Sequence, residues 1–120
     1  MTARTPDQIR SFLHQQVEFW NAGQKDEMFA LYRKMVPGSL SIEYIGIPAF
    51  EGWAALEDMW QRFNGLVKID VKEVMVTGDE AACYHHNQSV GVDIPPRPSI
   101  ELYRFSGDNL AIRYFHAAKI

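Results

Sequence analysis

At Asn64-Gly65, near the middle of the chain, the spacing of apolar residues changes from three-four to strict alternation, and no other feature limits the possible folds as strongly. Everything before that point reads as helix with one short strand. Thr5-Pro6-Asp7-Gln8 has the composition of a helix start, with Thr5 as N-cap, Pro6 at the first helical position and Gln8 placed to complete a capping box. The helix predicted from there runs to about Ala22 and stops at Gly23; its apolar stripe is Ile9, Phe12, Leu13, Val17 and Trp20, with Gln16 inside it. A second helix is predicted over 25–36, burying Met28, Phe29, Leu31, Tyr32 and Met35 and closed by Pro37-Gly38. A short strand over 39–45, a turn-rich loop over 46–51 and a third helix over 52–63 follow, the last contributing Trp53, Leu56, Met59 and Trp60.

After the switch, β-branched and aromatic residues alternate between turn signals at Gly78-Asp79-Glu80, at Pro95 to Pro98 and at Gly107-Asp108-Asn109. Strands are predicted over 66–77, 81–93, 99–106 and 110–118. Helices first and a run of antiparallel strands after them make an α+β domain whose helices cover one face of the sheet. The expected architecture is a cone-shaped, curved antiparallel sheet covered by three N-terminal helices and enclosing a pocket with one open end. A chain of 120 residues is large enough for one core and too short for two, so a single domain over 1–120 is expected.

Composition narrows the function classes. A formal charge of −3 and a pI near 5.7 argue against nucleic acid or an anionic membrane as the main partner, since both need a basic face. No stretch approaches the roughly 18 apolar residues of a membrane span, and the N-terminal Met-Thr-Ala-Arg-Thr-Pro-Asp lacks a secretory apolar core, so a cytoplasmic protein is expected. Cys83 is the single cysteine and reads as a small buried hydrophobe. Seven Phe, five Tyr and three Trp imply a ring-lined interior.

Two carboxylates interrupt apolar strands, Glu43 ahead of the Gly46-Ile47-Pro48 turn and Glu101 near the C-terminus. A carboxylate there is costly unless a partner satisfies it or the proton stays on, and acid–base chemistry exploits that perturbation. Alternation places Glu101 on one face with Ser99, Tyr103 and Phe105, but leaves the facing of Glu43 open, because Ile42 beside it is equally able to be the core residue. His85 and His86 are neighbours on a strand and point to opposite faces, so at most one enters a pocket. His85 is in phase with Cys83 and Asn87, His86 with Tyr84 and Gln88, and His116 lies on the last strand with Ile112 and Tyr114. None of the four histidines has the i, i+4 helical or His-x-His strand spacing of a metal site, and no metal is expected.

Four segments in this order resemble the nuclear transport factor 2-like superfamily, which includes ketosteroid isomerases, SnoaL-like polyketide cyclases and scytalone dehydratases. They are Glu18-Phe19-Trp20-Asn21-Ala22-Gly23; Tyr32; Glu43 standing nine residues before Gly52-Trp53-Ala54-Ala55-Leu56; and Ile100-Glu101-Leu102-Tyr103-Arg104-Phe105-Ser106-Gly107. The resemblance covers nearly the whole chain and is closest to the isomerase branch. It implies that Glu43 takes the place of a general base and Glu101 that of an acid kept protonated for an oxyanion hole. Gln16 falls where those isomerases have an oxyanion Tyr and Trp60 where they have a supporting Tyr, so the chemistry has moved away from the isomerase.

The function expected on these grounds is cofactor-independent catalysis on an apolar, carbonyl-bearing small molecule by proton abstraction and return. Glu43 is the expected base, Glu101 and Gln16 polarise the oxygen, and Tyr32, Trp60, His86, Tyr103, Phe105 and His116 line the pocket. Isomerisation, aldol-type cyclisation and dehydration all use such an apparatus. The alternative is a non-catalytic ligand-binding or dimeric scaffold protein of the same fold. The resemblance also implies a homodimer through the sheet, for which Tyr103, Arg104, Arg113 and Tyr114 offer an aromatic and basic face.

Overall fold

The computed structural model describes residues 4–116. In chain order the elements are α1 (Pro6–Ala22), α2 (Lys25–Met35), β1 (Leu40–Tyr44), β2 (Phe50–Glu51), α3 (Gly52–Phe63), β3 (Val67–Thr77), β4 (Glu80–Ser89), β5 (Arg97–Ser106) and β6 (Asn109–His116). The capping box forms as predicted: Thr5 Oγ1 accepts from the Gln8 amide while Gln8 Oε1 accepts from that of Thr5. Gly23, with φ of 71°, ends α1 in the left-handed conformation that costs glycine nothing.

The six strands form one open sheet in the order β2-β1-β6-β5-β4-β3. It is mixed and not antiparallel throughout, because β1 runs parallel to β6. The cause lies at the start of both strands, where Gly38 N donates to Asp108 O at 2.9 Å and Leu110 N to Ser39 O at 3.0 Å. Both strands leave the same corner and head the same way. The loop predicted over 46–51 contains β2, which folds back on β1 with Ile42 opposite Phe50. β4 stops at Ser89, short of the predicted residue 93, because Gly91 turns the chain with φ of 75°. Residues 117–118 of the last predicted strand lie outside the described residues.

Register sorts the helix-facing side chains into rows across the sheet, and the rows change character along the strands. Leu40, Leu110 and Phe105 form one; Ile42, Ile112, Tyr103 and Ala81 the next; then Tyr44, Tyr114, Glu101 and Cys83; and last His116, Ser99 and His85. The first two rows are almost wholly buried beneath α1 and α2, where Phe12 sits edge-on to Tyr32, Tyr103 and Phe105. Arg4 closes that end, donating to the carbonyls of Met35 and Gly107 with its guanidinium 4.7 Å above the Phe105 ring. Polarity therefore rises from the closed end toward the far one.

The edge strand β3 is bent by a register shift between Val71 and Glu73 and is covered by the end of α1. Asn21 mimics a strand there, donating to Ile69 O and accepting from Ile69 N, both at 2.8 Å. Trp20 Nε1 donates to Val67 O at 2.9 Å.

Gly52 decides how closely α3 approaches β1. A Cβ at that position would stand 2.3 Å from Leu40 Cγ and 2.5 Å from the Leu40 carbonyl oxygen. Gly52→Ala is expected to destabilise the fold by about 1–3 kcal/mol through overpacking, measured as a lower urea midpoint at unchanged slope.

Candidate active site

The third row of the sheet brings an ionisable group into a ring-lined interior. Glu101 lies between Cys83 of β4 and Tyr114 of β6, with Tyr44 of β1 beyond Tyr114. Its side chain is 13% exposed. Three donors are arranged in series toward it. Tyr32 donates through its hydroxyl to Gln16 Oε1, Gln16 Nε2 donates to the Tyr103 hydroxyl at 2.8 Å, and Tyr103 donates to Glu101 Oε1 at 2.5 Å.

The direction of this series is fixed by proton counting. A phenol has one proton, and because the Tyr103 oxygen accepts from the Gln16 amide, its own proton goes to Glu101. Oε1 is thus an acceptor at the end of the series. Oε2 is left facing His85 Nδ1 at 3.5 Å. His85 is 1% exposed, and neither of its ring nitrogens has a hydrogen-bond partner among the described residues.

Burial, and then the Glu101 charge, push the hydroxyls of Tyr32, Tyr103 and Tyr114 far above the ordinary phenol range, and push the Cys83 thiol up in the same way. Tyr44, less enclosed, is pushed up to about 12 by burial first, with Asp58 and Glu101 adding to it. These phenols stay protonated at neutral pH, and two of them, Tyr32 and Tyr103, donate within the series. Tyr44, Tyr114 and His116 form a group of rings at the exposed end of the rows, with Tyr44 stacked on His116 at 5.9 Å and tilted to Tyr114 at 5.2 Å.

The residues singled out in the sequence divide into those this row gathers and those it does not. Gln16, Tyr32, Tyr103 and Glu101 are one connected group, while His116 lies outside it, packed with Tyr44 and Tyr114. Glu43 does not join them. Ile42 is the fully buried residue of β1, so Glu43 takes the opposite face, where it is 34% exposed and pairs with Arg113 at 3.3 Å. The expected convergence of Glu43 and Glu101 on one pocket is therefore corrected: the sheet separates them.

His86 is likewise on the outer face, in hydrogen-bond contact with the Tyr84 hydroxyl at 2.8 Å, and it is His85 that faces inward. Phe105 is two rows from Glu101 in the closed apolar end, and Trp60 packs edge-on between Trp20 and Phe29. Tyr103 and Tyr114 also turn inward, leaving only Arg104 and Arg113 of the four residues expected on a dimer face. That outer face carries a depression of about 480 Å³ lined by Glu43, Met75, Leu102, Arg104 and Arg113, among others. Tyr44, Tyr114 and His85 are the inward groups that the sequence reading did not place in the site; the phase of His85 with Cys83 was the available signal.

No family model matches the chain, and no curated protein matches it either. Solved structures do. A protein designated a SnoaL-like polyketide cyclase from Jannaschia sp. CCS1 superposes with a TM-score of 0.72 at 18% identity, over 97% of this chain and 91% of that one. One designated a ketosteroid isomerase from Kribbella flavida DSM 17836 gives 0.74 at 12%, over 96% and 82%. An NTF2-like protein of unknown function from Cytophaga hutchinsonii ATCC 33406 gives 0.66 at 13%, over 97% and 93%. The chain has the nuclear transport factor 2-like fold. Identities this low carry the fold and no activity, and within an NTF2-like fold the reaction is decided by side chains. No helix among the described residues is long and apolar enough to cross a membrane.

Proposed function

We propose that this NTF2-like protein is an acid–base enzyme that abstracts and returns a proton on an apolar, carbonyl-bearing small molecule, with Glu101 as the group that carries the proton. The observation that supports this best is the one-way series of donors from Tyr32 through Gln16 and Tyr103 to Glu101 Oε1, which leaves the second carboxylate oxygen uncommitted by that series in an aromatic interior. Relative to the expectation from the resemblance, the base moves from Glu43 to Glu101, and Gln16 acts through Tyr103 instead of on the substrate oxygen.

The step is an enolisation. Glu101 takes a proton from the carbon beside the carbonyl, the C–H electron pair moves into a new C=C bond, and the carbonyl oxygen becomes an enolate stabilised by phenol donors of the same row, Tyr44 and Tyr114. Returning the proton from Glu101 to carbon completes an exchange or an isomerisation. Attack of the enolate on a second carbonyl is the cyclase variant of the same start.

A ligand titration locates the site. 4-Phenylcyclohexanone, an apolar ketone with exchangeable protons, is added to isotope-labelled protein and the NMR shift changes are mapped. Changes centred on Tyr44, Glu101 and Tyr114 are expected. A response confined to Glu43 and Arg113 would reject this interior site in favour of the outer face.

A further inference from the structure

We infer that His85 is the positioning residue for Glu101 and the reader of a ligand hydroxyl: its Nδ1–H holds Glu101 Oε2, and its Nε2 accepts from a hydroxyl on the substrate. This rests on the proposed role of Glu101 and narrows the substrate class to hydroxylated ketones. Three observations carry it. The imidazole is 1% exposed, both its nitrogens lack a partner among the described residues, and Nδ1 stands 3.5 Å from Glu101 Oε2.

A buried imidazole with two unused nitrogens is costly, because water has been removed and nothing replaces it. One nitrogen has an obvious counterpart. Glu101 receives the Tyr103 proton at Oε1 and presents Oε2 to Nδ1, so the proton of a neutral His85 belongs on Nδ1. With a small closure of the gap, Oε1 and Oε2 are then held from opposite sides and the carboxylate cannot rotate. A carboxylate fixed in this way is preorganised for transfer to and from a single carbon.

The same tautomer leaves Nε2 as a lone pair in need of a donor. Around the pair, Cys83, Tyr103 and Tyr114 are the titratable groups that pack on Glu101, and Ser99 lies opposite His85, its hydroxyl oxygen accepting from Asn87 Nδ2 at 2.8 Å and making no hydrogen bond to the imidazole. His116 is the further histidine of that row. Among the described residues none donates to Nε2, and a ligand hydroxyl fits what the site lacks.

Ring ¹⁵N NMR of the wild-type protein at neutral pH tests the first half without any turnover. A single neutral tautomer with the proton on Nδ1 is expected, redistributing toward Nε2–H in Glu101→Gln. An Nε2–H tautomer in the wild type, or one indifferent to Glu101→Gln, overturns the inference while leaving the role of Glu101 intact. For the second half, 4-hydroxy-4-phenylcyclohexanone is compared with 4-phenylcyclohexanone in binding. A preference of about tenfold for the hydroxylated compound is expected, lost in His85→Phe; equal binding of the two by wild type overturns it. Circular dichroism checks that both variants are folded, and the wild-type tautomer and the wild-type preference stand as tests even if they are not.

Discussion

Above about pH 10 the protein is expected to lose stability steeply and to unfold cooperatively. An ordinary tyrosine hydroxyl titrates near 10.0 and an ordinary thiol near 9.0, and in the folded chain Tyr32, Tyr103, Tyr114 and Cys83 are all shifted upward, first by burial and then by the Glu101 charge. The sign follows from proton counting. Above those ordinary values the unfolded chain releases the four protons and the folded chain keeps them, so the folded state binds more protons and stability falls as pH rises. The contribution is fully present below about pH 9 and decays above it. Each fully buried group contributes a slope of about 1.4 kcal/mol per pH unit once the unfolded side has ionised, so a few units suffice to exhaust an ordinary folding free energy. Urea unfolding at a series of alkaline pH values measures it. Tyrosinate absorbance is expected to rise together with loss of helical circular dichroism, and Tyr32→Phe to flatten the slope by one proton.

Periodicity carried most of the fold in the sequence, because helix and strand periods respond to burial along a single element. The cap at Thr5, the stop at Gly23 and the inward face of β5 were all legible in this way. The parallel pairing of β1 with β6 was not, since it depends on hydrogen bonds between residues about 70 apart, at Ser39 and Leu110. Facing on β1 was ambiguous for a physical reason: in a five-residue strand, Ile42 and Tyr44 on one side compete with the single acid Glu43 on the other, and burial of Ile42 decided it. The nine-residue spacing from Glu43 to Gly52 has a packing explanation that does not involve the carboxylate, since Gly52 admits α3 against Leu40. His85 was recoverable. Cys83 was expected to be buried, and His85 shares its phase.

The second large effect concerns Glu101 itself. Glu101→Gln keeps shape and a hydrogen-bonding oxygen for Tyr103, but it removes the only function a base requires, a lone pair of carboxylate basicity. General-base catalysis contributes about 100- to 10,000-fold, and the loss of turnover is expected in that range. Tyr103→Phe leaves the carboxylate and removes its donor at Oε1, so a smaller loss of turnover than in Glu101→Gln is expected. Glu43→Gln breaks a half-exposed pair with Arg113 on the far side of the sheet, and a change in rate of no more than about twofold is expected.

Deuterium wash-in from heavy water into the carbons beside the carbonyl of 4-phenylcyclohexanone, followed by mass spectrometry for Glu101→Gln and Glu43→Gln side by side, sets these two acids against each other. Catalysed exchange in the wild type, retained in Glu43→Gln and lost by about 100-fold or more in Glu101→Gln, is the expected result. Exchange that survives in Glu101→Gln and disappears in Glu43→Gln would contradict it, as would a wild-type rate no faster than buffer.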